Sequence, residues 1–164
     1  MNDRGGMSDR GGDGTGASPL LAGLPDRLWS VPYAGARFPG SAAVTERPGL
    51  GEGANCQLFA YAVLRHFGLE PPVLRSSELW DDRESTARVT AARPLDLLLF
   101  NAGDAAFGAH VGVWAGPDHV LHLCAEVGRP AVWPMAAFAA RPRYRTLVGV
   151  KRVVKRVTAS PSRG

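Results

Sequence analysis

One segment constrains the fold of this chain more than any other. Apolar residues stand at Cys56, Phe59, Ala60, Val63, Leu64 and Phe67, the i, i+3, i+4, i+7, i+8, i+11 spacing of a single stripe that faces a core. Asn55 supplies an N-cap, and Gly68 with Pro71 and Pro72 beyond it supplies a stop. Cys56 therefore falls in the first turn of a helix, on its inward side. A second, short helix is expected in SSELWDD, capped at Ser76 or Ser77. The pattern then changes to short apolar runs at Leu95 to Phe100, His110 to Ala115, Val120 to Ala125, Ala131 to Trp133 and Leu147 to Val157. Turn residues at short spacing between them predict an antiparallel meander, and helices followed by strands predict an α+β fold.

The 164 residues, 45% of them hydrophobic and 21% charged, suit one globular domain with a core of its own. Residues 1–18 are rich in Gly, Asp, Ser and Arg and are expected to be a disordered tail, residues 158–164 likewise, leaving 19–157 as the domain. The Gly- and Pro-bearing stretch from Phe38 to Gly53 reads as one extended surface loop. No apolar run approaches the roughly 18 residues needed to span a bilayer. The first thirty residues hold no apolar stretch of signal-peptide length. A cytoplasmic protein without a membrane partner is the expectation. The net charge of +4 rests on arginines spread singly along the chain. The one basic cluster, Lys151-Arg152-Val153-Val154-Lys155-Arg156, alternates charges with valines as an edge strand does, so no nucleic-acid partner is expected.

Two cysteines cannot build a disulfide scaffold, so a reactive role or a packing role is left for them. A cysteine in the first turn of a helix meets free N–H groups and the positive end of the dipole, both of which favour the nucleophilic thiolate. Of the four histidines, His66 lies at the far end of the same helix and reads as structural. His119 reads as a solvated turn residue. His110 and His122 fall on two strands of one hairpin, where parity decides whether they meet. A two-residue loop at Pro117-Asp118 puts them on opposite faces. A three-residue loop, Gly116-Pro117-Asp118, pairs Gly112 with His122, leaves His110 roughly 7–8 Å away as its diagonal neighbour, and stands Cys124 opposite His110. A competing zinc reading of His119, His122 and Cys124 with His110 is disfavoured, because strand alternation turns His119 away. A regulatory Cys56–Cys124 disulfide would need Cβ atoms about 4 Å apart.

Taken in order, Asn55-Cys56-Gln57-Leu58-Phe59, Arg93-Pro94-Leu95-Asp96-Leu97-Leu98-Leu99-Phe100, His110-Val111-Gly112-Val113-Trp114, Leu121-His122-Leu123 and Val148-Gly149-Val150-Lys151-Arg152-Val153 resemble the motifs of the NlpC/P60 cysteine peptidases, a branch of the papain-like fold. The resemblance covers roughly residues 30–157. It implies N-terminal helices packed on an antiparallel sheet of five to six strands. It implies a thioester mechanism in which Cys56 is the nucleophile, His110 the base and His122 its orienting partner. Val31-Pro32-Tyr33 resembles the segment that carries an oxyanion-binding tyrosine, so Tyr33, with Asn55 and Gln57 flanking the cysteine, is a candidate for substrate or oxyanion contact. Cys124 and Trp114 are expected to line the site. The implied activity is hydrolysis of a small peptide or amide, on peptidoglycan-type peptides or an intracellular amide, without metal or cofactor. An amide-forming acyltransferase using the same three residues, and a non-catalytic peptide- or metal-binding domain, are the alternatives.

Overall fold

The computed structural model describes residues 18–157, so the expected tails at 1–17 and 158–164 lie outside the described residues. Three short helices come first: α1 (Pro19–Ala22), α2 (Asp26–Trp29) and α3 (Ala42–Glu46). The striped segment then forms α4 (Cys56–His66). Asn55 Oδ1 accepts from the Leu58 N–H at 2.8 Å, which occupies one of the donors that a helix start leaves open. Gly68, at φ +88°, follows the last turn. α5 (Ser76–Asp81) follows as expected.

Six strands make one antiparallel sheet: β1 (Thr86–Val89), β2 (Leu97–Asn101), β3 (His110–Gly116), β4 (His119–Leu123), β5 (Pro130–Trp133) and β6 (Thr146–Val153), in the spatial order β1-β6-β2-β3-β4-β5. A five-residue helix, α6 (Met135–Ala139), and a 3-10 turn at Pro142–Tyr144 join β5 to β6. The α+β architecture agrees with the sequence reading. β1 is an added strand, its TARV too short and polar to stand out as an apolar run.

Two expectations are corrected. The stretch 38–53 contains α3 and a 3-10 turn at Leu50–Glu52 rather than one open loop. It folds around the buried Arg37, whose guanidinium donates to the carbonyls of Gly53, Ala43, Arg47 and Gly49 at 2.6–3.2 Å. Arg37 O in turn accepts from Asn55 N at 2.9 Å, so this knot sets the entry into α4. The basic cluster does not mark a sheet edge. β6 runs between β1 and β2, and Lys151 is fully buried, its Nζ donating to the carbonyls of Trp80 and Asp82. Buried charge here is met by backbone oxygens.

Each face of the sheet has its own cover. α4 lays Phe59, Ala60, Val63 and Leu64 against Leu97, Leu99, Val111, Val113, Leu121 and Leu123, an aliphatic core. On the opposite face Leu98, Phe100, Val120 and Val150 meet Phe138 of α6, Tyr144, Trp114 and Trp133. Among the described residues no helix is long and apolar enough to cross a membrane.

Candidate active site

The β3–β4 hairpin decides whether the two histidines meet. Its turn is the short one: Gly116 pairs with His119 across Pro117-Asp118, with Asp118 at φ +56°. Beyond it the register shifts between Trp114 and Gly116, so that Trp114 pairs with Val120 and Val113 with Leu121. Ala115 is thus an extra residue, a bulge that restores the parity of the longer loop. His110 and His122 share the aromatic face, and His110 Nε2 lies 2.9 Å from His122 Nδ1. Gly112, between them on the same face, leaves no room for a side chain. A Cβ there would stand 2.5 Å from Val120 Cγ1 and 3.4 Å from His122 Cβ.

His122 is sealed in by Trp133 and Phe138, with ring centroids 4.2 and 4.7 Å from its own. Its Nε2 is buried and has no hydrogen-bond partner among the described residues. Burial above all pushes both imidazoles down to about 3. For His110 the neighbouring His122 and Arg143 act in the same direction, and for His122 it is Arg141. Both rings are therefore neutral at physiological pH. A neutral pair joined by one hydrogen bond has one proton between the two facing nitrogens. His110 Nδ1 has no hydrogen-bond partner among the described residues, which leaves it available to another group.

That group is at hand. Cys56, His110, Tyr33, Cys124, Tyr144 and Arg143 line one cavity of about 310 Å³. Cys56 is partly exposed in it, at the first position of α4. Burial pushes its thiol up, against the N–H groups of Val111, Gln57 and Cys56 itself, which favour the thiolate. The helix start thus pulls in the expected direction, with desolvation the larger effect.

Tyr33 reaches the cavity across a gap of 23 residues in sequence because backbone pairing closes it. Ala34 N donates to Ala54 O at 2.9 Å and Ala54 N to Pro32 O at 3.1 Å. Gly53 lies in this crossing at φ +107°, where a Cβ would come within 2.7 Å of Pro32 O. Only glycine suits both the angle and the approach. Asn101 Nδ2 donates to Ala105 O and Phe107 O at 2.9 and 3.0 Å, which braces the loop presenting Gly108 and Ala109 to the same cavity.

Three candidate residues stand elsewhere. Gln57 is buried away from the cavity, its Nε2 donating to Tyr61 Oη at 2.7 Å and Leu74 O at 2.6 Å, because the second helical position turns inward behind the cysteine. Asn55 spends its side-chain oxygen on the cap. Trp114, four residues along β3 from His110, packs in the aromatic cluster and does not line the cavity. His119 is exposed, with Nδ1 2.7 Å from Pro117 O, and no three metal-capable side chains cluster among the described residues. His66 bonds Gly23 O through Nε2 at 3.1 Å. Asp96 is buried and caps the turn into β2 by accepting from Arg93 N, and it also pairs with Arg152 through both oxygens at 2.8 and 2.9 Å. Sequence reasoning missed Arg143 and Tyr144. Their only signal was the run Arg141-Pro142-Arg143-Tyr144 just before the last strand.

No family model and no curated protein sequence matches the chain. Among solved structures, the NlpC/p60 domain of the peptidoglycan hydrolase SagA superposes with a TM-score of 0.48 and 18% identity, over 73% of this chain and 90% of that one. The P60 domain of the Mycobacterium avium subspecies paratuberculosis antigen MAP1204 does so with a TM-score of 0.48 and 17% identity, over 83% and 96%.

Proposed function

We propose that this chain is a cysteine-dependent amide hydrolase of the NlpC/P60 kind, acting through Cys56, His110 and His122. One observation carries the reading: a thiol at a helix start and an imidazole with an unpartnered Nδ1 share one cavity, while the imidazole's Nε2 is held 2.9 Å from a buried second imidazole. Cys56 Sγ attacks the amide carbonyl as its proton passes to His110 Nδ1. The carbon–nitrogen bond then breaks, the proton goes to the leaving amine, and a thioester remains. Water, deprotonated by the same nitrogen, hydrolyses the thioester and frees the thiol. His110 acts as a general base on a thiol, so no resting ion pair is required. His122 orients His110 through Nε2. The backbone N–H of Cys56 and the Tyr33 hydroxyl serve the oxyanion. Peptidoglycan-type peptides or small amides are the substrates proposed.

The test combines labelling and turnover. Iodoacetamide should modify Cys56 well before Cys124 in the native protein, at a rate that keeps rising above the ordinary thiol range because the thiol is raised. Release of amine from γ-D-glutamyl dipeptides or simple amides should vanish in Cys56→Ala and fall about 10²–10⁴-fold in His110→Ala. Slow, equal labelling of both thiols that appears only on denaturation, together with no turnover, would overturn the reading.

A further inference from the structure

A second cavity, of about 490 Å³, lies between α4 and the stretch 39–50 and shares no lining residue with the one that holds Cys56. That volume suits a small molecule. Its surface is largely aliphatic: Val44, Leu50, Leu58, Ala62 and Val73 line it, and Val73 is 63% exposed. Little in this wall could pair with the amides of a peptide. Pro39 and Pro48 bring no N–H, and the Tyr61 hydroxyl already accepts from Gln57 Nε2 and donates to Leu74 O. The charged groups are Arg27 and Arg65, both exposed, with His66 beside them and no Asp or Glu in the wall. Arg27 is held in place: its Nη2 donates to His66 Nδ1 at 3.4 Å, and His66 Nε2 donates to Gly23 O at 3.1 Å. Neither arginine forms an ion pair among the described residues. A hydrocarbon surface edged by two cations, with no competing acid, is complementary to an anion on an apolar chain.

We propose that this cavity binds an unbranched aliphatic carboxylate, its tail over Val44, Leu58 and Ala62 and its head at Arg27 and Arg65. The site is independent of the hydrolase reading. Four probes separate its parts: octanoate; octanol, which keeps the tail and loses the charge; acetate, which keeps only the head; and N-acetyl-leucyl-leucine, which puts the same head on a peptide. Each is titrated against the full chain while the Val44, Ala62 and Val73 methyl signals are followed by NMR. Octanoate should bind several-fold tighter than octanol or the peptide, with acetate far weaker. The head's share is modest because both arginines face solvent and the C-terminal end of α4 opposes an anion. Arg65→Gln should lose about threefold to tenfold in octanoate affinity and leave octanol unchanged. Ala62→Met, which fills part of the cavity, should weaken both. With octanoate bound, iodoacetamide should modify Cys56 at an unchanged rate. Equal affinity for octanoate and octanol, octanoate binding unchanged in Arg65→Gln, the peptide binding as tightly as octanoate, or protection of Cys56 would each overturn the proposal.

Discussion

The two faces of the sheet are built from different materials for different ends. The α4 face is aliphatic and close-packed, with Phe59, Val63 and Leu64 wholly buried against leucines and valines. It carries no titrating group of the site except the cysteine at its margin. The other face is aromatic, with a five-residue helix as cover, and it contains both imidazoles. Burial of apolar area on the first face stabilises the fold and fixes where α4 begins. Burial on the second face holds both imidazoles neutral, His110 by its own desolvation first and by the neighbouring His122 and Arg143 next. A side chain's surroundings, more than its position in sequence, separate scaffold from reactive site.

The comparison can be broken at five places. Phe59→Ala should cost about 3–5 kcal/mol of stability in urea unfolding. Phe138→Leu should cost about 1–2 kcal/mol, since it keeps most of the apolar volume, but should raise the imidazole pKa values seen by NMR. Equal stability losses, with the imidazoles unmoved, would erase the distinction between the faces. Next in size is the acid limb. His110 and His122 sit near 3 in the folded chain against 6.5 ordinarily. The unfolded chain therefore binds protons that the folded one refuses. The stability they contribute is complete above pH 6.5 and drains away as pH falls from there towards about 3. A His110→Asn, His122→Asn double variant should show a shallower decline of melting temperature across that window than the native chain. Gly112→Ala should destabilise by about 1–3 kcal/mol, because Val120 has to yield to the new methyl, and should reduce turnover beyond that by moving His122. An unchanged melting temperature would mean that the close approach at Gly112 does not matter. Asn55→Ala should lose about 1 kcal/mol through its cap, with the Cys56 labelling rate shifted modestly as the first turn loosens.

The legible parts of the molecule were those with local rules. The α4 stripe and its cap, the strand runs and the order of cysteine and histidines could all be read because spacing alone encodes them. The β3–β4 register could be narrowed to two parities but not chosen, since the choice depends on a bulge at Ala115, a residue with no bulge signature. Lys151 looked like edge-strand charge and Arg37 carried no signal, because their partners are backbone carbonyls brought from elsewhere in the chain. Gln57 looked like a site residue because it adjoins the cysteine, although helical rotation carries it towards Leu74. Arg143 and Tyr144 had no motif. They join the site through the path of the chain between β5 and β6, which only tertiary structure reveals.

The bulge at Ala115 also bears on how this chain can change. A single residue gained or lost between Gly112 and His122 would turn one histidine through the sheet into the aliphatic core. Length changes in this hairpin are therefore tolerable only in compensating pairs, and a drifting gene would find most one-codon insertions and deletions here closed to it while the loops outside stay open. A tight turn and its bulge are inherited as a unit, even though neither touches the reacting atoms.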